Sequence, residues 1–279
     1  MTMAGALPEV LTFERLDERR FRFGSVDAEG RDVVFGGQLL AQMITASGTL
    51  AGGKEVKTIH AVFVRPGTIT QPIDVEVTPV NAGRTFATDT VTVWQGDRLC
   101  ARAQVLLHAP EPDLIRSELA MPDEAAPEDG TPSRAFVFPG AEMRVVRGTG
   151  DSSPGPAELS FWTRYPDAPD GQLASQAILS WATNGLLIGT AMKPHGLNLA
   201  DAHRSISTGV ISNTLTFHDV FDARDWLLLT HDVPYAGRGR VYGRGHVFTR
   251  DGHIVASFVQ DSMVRGIPEG AALDGRTAM

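Results

Sequence analysis

Gly83-Arg84-Thr85-Phe86-Ala87-Thr88-Asp89-Thr90-Val91-Thr92-Val93-Trp94-Gln95-Gly96-Asp97-Arg98-Leu99-Cys100-Ala101-Arg102-Ala103-Gln104 alternates in character and is broken once, at a glycine turn. Gly239-Arg240-Val241-Tyr242 opens a second such run, which passes Val247 and Phe248 and turns at Asp251-Gly252. It ends in Ile254-Val255-Ala256-Ser257-Phe258-Val259-Gln260. The Gly-Arg pairs, the aromatics Phe86 and Tyr242, the turn glycines Gly96 and Gly252, and the glutamines Gln104 and Gln260 are each 156 residues apart. Alternation on two arms joined by glycine predicts a long β-hairpin. A spacing shared by four kinds of residue points to a tandem duplication of one unit.

A helical candidate lies upstream of each hairpin. Gln38-Leu39-Leu40-Ala41-Gln42-Met43-Ile44 begins at Gly36-Gly37, and the stretch Ala174 to Gly189 puts Ile178, Leu179, Leu186, Leu187 and Ile188 on one broad sector. Both are apolar nearly all round, which suits a helix wrapped by a sheet better than one on a surface. Each leads to a strand, Thr58 to Arg65 and Gly209 to His218. The expected architecture is an α+β unit present twice.

Between the copies, residues 109–155 hold Pro110, Pro112, Pro122, Pro127, Pro132 and Pro139 among Asp, Glu, Gly and Ala. Proline fixes φ and removes a donor, so this stretch reads as a linker, with room for a short helix over Asp113 to Ala120. The division is a first domain 1–108, the linker 109–155, a second domain 156–266 and a flexible tail 267–279.

Across 279 residues, 25 Lys+Arg against 33 Asp+Glu give a net charge of −8, which argues against a nucleic-acid groove. No apolar run reaches the roughly 18–20 residues of a membrane helix, and the first residues lack the pattern of a secretory signal. The single Cys100 suits a reducing compartment, so the expected location is the cytoplasm.

Six strings carry a family likeness: Val34-Phe35-Gly36-Gly37-Gln38, His60-x-x-Phe63-x-Arg65-Pro66-Gly67, Gly83-Arg84-x-Phe86, Pro194-His195-Gly196, Phe217-His218 and Asp251-Gly252-x-x-Val255-Ala256-Ser257-x-x-Gln260. In this order they resemble the acyl-CoA thioesterase II family. The resemblance implies a double hotdog, in which each half curls an antiparallel sheet around a central helix. It also implies hydrolysis of fatty acyl-CoA to free acid and coenzyme A by a directly activated water. No cofactor or metal is implied; two hotdogs in one chain already supply one sheet pair, which allows a monomer, while relatives that stack further suggest a homo-oligomer through the sheets.

The family holds its water with an Asp on the second central helix, a Thr on the next strand and a Gln late in the second hairpin. By resemblance Gln260 falls on the Gln position, while Asn184 falls where the family has Asp. A neutral amide cannot accept a proton near pH 7, and loss of a positioned base costs about 10²–10⁴ in rate. The Thr position falls on Thr208 when counted from Pro194-His195-Gly196, and on Val210 when counted back from Phe217-His218.

Plainer readings stand beside these. Gln260 could bond across the sheet, as its repeat mate Gln104 would, and Asn184 could be a cap or a core polar group. Gly36, Gly37 and Gln38 either permit tight packing or offer N–H groups to a thioester oxygen or phosphate at a helix start. Arg65 and Arg84 either meet coenzyme A phosphates or pair on the surface. Asp219 and Asp261 are candidate substitute bases. His60, His195 and His218 show no metal-ligand spacing. Asn184-Gly185 is also a deamidation-prone dipeptide, slowed if it lies in a helix. An acyl-CoA-binding protein that has lost its base is the competing function. Enoyl-CoA hydration lacks its strand-to-helix motif here, and no G-x-S-x-G elbow supports a serine hydrolase.

Overall fold

The computed structural model describes residues 6–28, 32–133, 140–148, 153–197, 202 and 205–267. In the first half, α1 (Ala6–Leu11), β1 (Phe13–Arg15) and β2 (Arg20–Phe23) precede the central helix α2 (Gly36–Thr49). The strands β3 (Glu55–Phe63), β4 (Ile73–Ala82), β5 (Phe86–Gln95) and β6 (Arg98–His108) follow it. After β7 (Thr131–Pro132), β8 (Glu142–Arg147) and β9 (Glu158–Arg164) come two helices, α3 (Gln172–Ala182) and α4 (Leu186–Met192), and a 3₁₀ turn over Lys193–His195. The chain closes with β10 (Ile206–Phe217), β11 (Leu227–Gly237), β12 (Arg240–Thr249) and β13 (Ile254–Gly266).

Among the described residues the strands form one sheet of order β1-β2-β4-β5-β6-β3-β10-β13-β12-β11-β9-β8-β7. The halves join where β3 pairs antiparallel with β10, from Thr58↔Thr216 to Ser212↔Val62. The sheet thus carries the double hotdog expected from the sequence, with its helices on the inner face. α2 buries every residue from Gly37 to Ser47, as its unbroken apolar surface requires. α3 lies against it, and close approach depends on Gly37, where a Cβ would fall 2.7 Å from the Trp181 carbonyl oxygen. α4 settles on β12 over Gly243, whose missing side chain makes room for Leu187.

The second central helix is not the continuous element that its apolar pattern predicts. It breaks at Thr183-Asn184-Gly185, where Gly185 takes φ 102°, a conformation that side chains with a Cβ rarely adopt. Apolar residues continue on both sides of the break, so hydrophobic period alone does not reveal it.

The proline-rich segment also departs from its reading. Residues 113–120 form no helix: prolines flank them, and Leu114 and Ile115 stand 97% and 88% exposed, with no surface to pack on. This stretch is tied down by Arg116 to Asp219 at 2.9 Å and by Glu118 to His253 at 3.1 Å. β7 and β8 fall inside the supposed linker, and β8 pairs with β9, so this stretch supplies two strands to the second half of the sheet. β8 escapes notice because Pro139-Gly140 cuts its alternation short. Of the tail, residues 268–279 lie outside the described residues.

The 156-residue spacing is not the structural one along the last strand. Ala101 and Ala103 pair with Val93 and Val91, whereas Ala256 and Phe258 pair with Val247 and Gly245. The structural counterpart of Gln260 is therefore Val105. Each hairpin has one bulge near its turn and the turns differ in length, which moves the faces out of step with the sequence match.

Candidate active site

The break between α3 and α4 places three amide side chains on the inner face of the second half. Asn184, in the break, is 1% exposed, and neither its Oδ1 nor its Nδ2 has a hydrogen-bond partner. Gln260 on β13 is equally buried. Its Oε1 accepts the Gly185 N–H at 3.2 Å, and its Nε2 donates to Ser262 Oγ at 2.8 Å. Asn213 on β10 lies directly opposite Gln260 in the sheet. It is fully buried, its Nδ2 reaches the Thr183 carbonyl at 3.5 Å, and its Oδ1 has no partner.

The start of α2 closes this site. A Cβ on Gly36 would come 2.9 Å from Asn184 Oδ1 and 3.3 Å from Phe63 Cζ, so the bare Gly36 backbone faces the Asn184 amide. The N-cap residue Phe35 makes no side-chain capping bond. The Gly36 main chain, in the first turn of a 14-residue helix, therefore stands beside the orphaned amide, at the helix end whose dipole favours negative charge.

The structure brings Asn184 and Gln260 together and leaves Thr208 apart. Thr208 is buried opposite Val264, four residues along β13 from Gln260, or about 13 Å at strand rise. Val210 pairs with Ser262, and a bulge between Val210 and Ser212 then shifts the alternation by one. Beyond it the inward positions are Asn213, Leu215 and Phe217, which is why counting forward along the strand misses Asn213. Its signal in the sequence is a polar residue alternating with Leu215 and Phe217, which a count back from Phe217 reaches without crossing the bulge and a count forward from Thr208 misses.

Gly37 packs on the Trp181 main chain, and the buried Gln38 side chain accepts the Val26 N–H at 3.1 Å, tying down the loop before the helix. Arg65 is exposed just past the end of β3, near Phe63 and hence at the same end of the sheet as Gly36. Arg84 is exposed at the opposite end, beside the Phe86↔His108↔Glu55 row. Counted from Ala61, the β3 partner of Asn213, that row is about 20 Å away. Asp219 is engaged with Arg116, and Asp261 is exposed on the outer face, so neither reaches the break. Among the described residues the one acidic residue in the buried class is Asp89, in the first half, which accepts a hydrogen bond from Ser47 at 2.6 Å. The described residues contain no cluster of three or more His, Cys, Asp or Glu placed to hold a metal ion.

Residues 25–108 match the family described as acyl-CoA thioesterase N-terminal domain, and residues 119–264 match its C-terminal domain counterpart. Acyl-CoA thioesterase 2 of Haemophilus influenzae is 25% identical over 280 residues, covering 93% of this chain and 96% of that protein. The mouse protein acyl-coenzyme A thioesterase 8 is 22% identical, covering 93% of this chain and 89% of its own length. Among solved structures, acyl-CoA thioesterase II TesB2 from Mycobacterium marinum superposes with a TM-score of 0.80 at 25% identity, covering 95% of this chain and all of that one. A TesB protein from Mycobacterium avium subsp. paratuberculosis reaches 0.82 at 24% identity, with 95% and 100% coverage. The two domain matches lie in order on the two halves of the sheet, and on them the chain belongs to the acyl-CoA thioesterase family.

Proposed function

We propose that this protein hydrolyses acyl-CoA to free acid and coenzyme A, using a water held at the break between α3 and α4. The observation that carries this reading is the buried, unpartnered amide of Asn184 beside Gln260 and Asn213. Buried polar groups are rarely left unpaired in native proteins, and unpaired ones in a family site mark where a ligand or water belongs. Asn184 Oδ1 and Asn213 Oδ1 are acceptors, suited to the two protons of an attacking water. Gln260 fixes the Gly185 main chain, and Ser262 fixes Gln260.

The thioester oxygen is assigned to the first turn of α2, where the N–H groups of Gly36 and Gly37 and the helix dipole stabilise developing negative charge. Arg65, at the same end, is assigned to the coenzyme A phosphates. Thr208 and Arg84 have no part in this arrangement.

An amide takes the place of the family carboxylate in this reading. Asn184 orients the water but cannot deprotonate it, so attack depends on hydroxide and the rate rises with pH without a plateau. An aspartate at this position supplies the base and restores about 10²–10⁴ in rate. The competing reading, an acyl-CoA binder with little turnover, is favoured by the same neutral amide.

A panel of short to long acyl-CoAs, followed by thiol release for wild type, Asn184→Asp and Gln260→Ala, separates them. Wild-type turnover that Gln260→Ala abolishes supports hydrolysis. Silence of wild type with recovery in Asn184→Asp supports the binder, and silence of both removes the function while leaving the fold. The cytoplasm and a role in lipid metabolism belong to the same proposal, supported by the acyl-CoA reading and by the single, buried Cys100. The same holds for association through the outer sheet face, supported by the exposed Val62, Val64 and Tyr242. No helix among the described residues is long and apolar enough to cross a membrane.

A further inference from the structure

We propose that Asn184 is a site of spontaneous deamidation, and that its conversion to aspartate supplies the base the site otherwise lacks; this rests on the hydrolytic reading above. In this reaction the Gly185 main-chain nitrogen bonds to the Asn184 side-chain carbon. The carbon–Nδ2 bond breaks, and ammonia leaves with the proton from Gly185. Water then opens the five-membered succinimide. Cleavage at the side-chain carbon leaves aspartate, and cleavage at the main-chain carbon leaves isoaspartate. Overall, one asparagine and one water yield one acid and one ammonia.

Four features of the break support this chemistry. Gly185 presents no Cβ to hinder ring closure. Its N–H is outside the helical ladder, held instead by Gln260 Oε1 at 3.2 Å, the long end of the N–H···O range. The Asn184 amide turns without breaking a hydrogen bond, since neither of its polar atoms has one. The product is also accommodated, because Asn184 faces the Gly36 main chain in the first turn of α2, where the helix dipole favours a carboxylate over a neutral amide. A site that admits water to a thioester admits water to the succinimide as well.

Fresh full-length protein is held at mildly alkaline pH and sampled over weeks, beside the free peptide spanning residues 181–188. Intact mass and peptide mapping locate the amide-to-acid change, an isoaspartyl methylation assay separates the two products, and thiol release from acyl-CoA is read on each sample. Aspartate is expected to accumulate at position 184. Activity should rise with that fraction toward the Asn184→Asp value, about 10²–10⁴ above the starting protein. Asn184→Gln, whose ring closes far more slowly, should stay flat.

Absence of conversion after the free peptide has turned over overturns the proposal and leaves the thioesterase reading untouched. Conversion to isoaspartate alone, with Asn184→Asp active, also overturns it. An inactive Asn184→Asp overturns the base assignment itself, whether or not the mass changes.

Discussion

At the scale of single residues the site is an arrangement of amides, and what surrounds them decides what they do. Gln260 is held at both ends, by Gly185 and Ser262, while Asn184 is held at neither. Gly36 controls the space around Asn184. Gly36→Ala would put a methyl 2.9 Å from Oδ1 and 3.3 Å from Phe63 Cζ, so the amide must swing away. Its expected cost is about 1–3 kcal/mol in denaturant unfolding, with a larger proportional loss of thiol release. A variant that loses stability but keeps the parent activity would show that Asn184 need not face the helix start. Gln260 was legible through the resemblance alone, since its repeat mate Gln104 argued for a plain cross-sheet role and proves not to be its structural counterpart. Asn184 drew notice only through the resemblance, and the substitution it is taken to represent belongs to the proposal above. Asn213 was not legible: alternation with Leu215 and Phe217 points it inward, but a neutral amide between Ser212 and Thr214 carries no chemical signal of its own.

At the scale of elements, two irregularities build the site. The first is the helix break, which frees the Gly185 N–H for Gln260. An alanine at 185 would have to hold φ 102°, although its methyl would meet the Phe35 ring only in ordinary contact at 3.4 Å. Left-handed backbone strain of this kind costs about 1–3 kcal/mol. Gly185→Ala is therefore expected to unfold earlier in urea by that amount and to lose turnover as the N–H leaves Gln260. Unchanged stability would mean that the break does not need the glycine conformation. The second irregularity is the β10 bulge, which turns Asn213 inward. Neither is encoded by hydrophobic period: the apolar run continues through the break, and a bulge adds one residue without altering the character of its neighbours. The regular hairpins β5–β6 and β12–β13, where alternation is sustained on both arms, were legible for the opposite reason.

At the scale of the whole molecule, duplication yields two halves of unequal chemistry. α2 and α3 run antiparallel, so Gly36 meets Asn184 at one end and Gly48 meets Leu173 at the other. The second end has an unbroken helix, an apolar Val105 where Gln260 stands, and the buried Asp89–Ser47 pair. Two buried ionisable groups outside the site then act on the stability of the fold with opposite signs. His231, on the inner face of β11, stacks on Phe161 and meets the edge of Phe258, with neither ring nitrogen hydrogen-bonded. Burial lowers its pKa from 6.5 to about 3, with the Leu159 main chain acting the other way. The unfolded chain then binds a proton that the folded chain refuses, so stability present above pH 6.5 is lost as pH falls toward 3, by at most about 1.4 kcal/mol per unit. For Asp89 burial raises the carboxyl pKa, with Ser47 and Arg19 opposing. Its contribution is fully present below the ordinary value of 3.8 and is lost as pH rises through the folded value. The wider window belongs to His231. His231→Phe keeps the ring stack and removes two unsatisfied nitrogens. It is expected to leave stability at pH 7 unchanged or raised, and to flatten the loss between about pH 6 and 4 in urea titrations. An undiminished acid slope in that variant would place the titrating group elsewhere, and Asp89→Asn cannot account for it, since its sign is opposite.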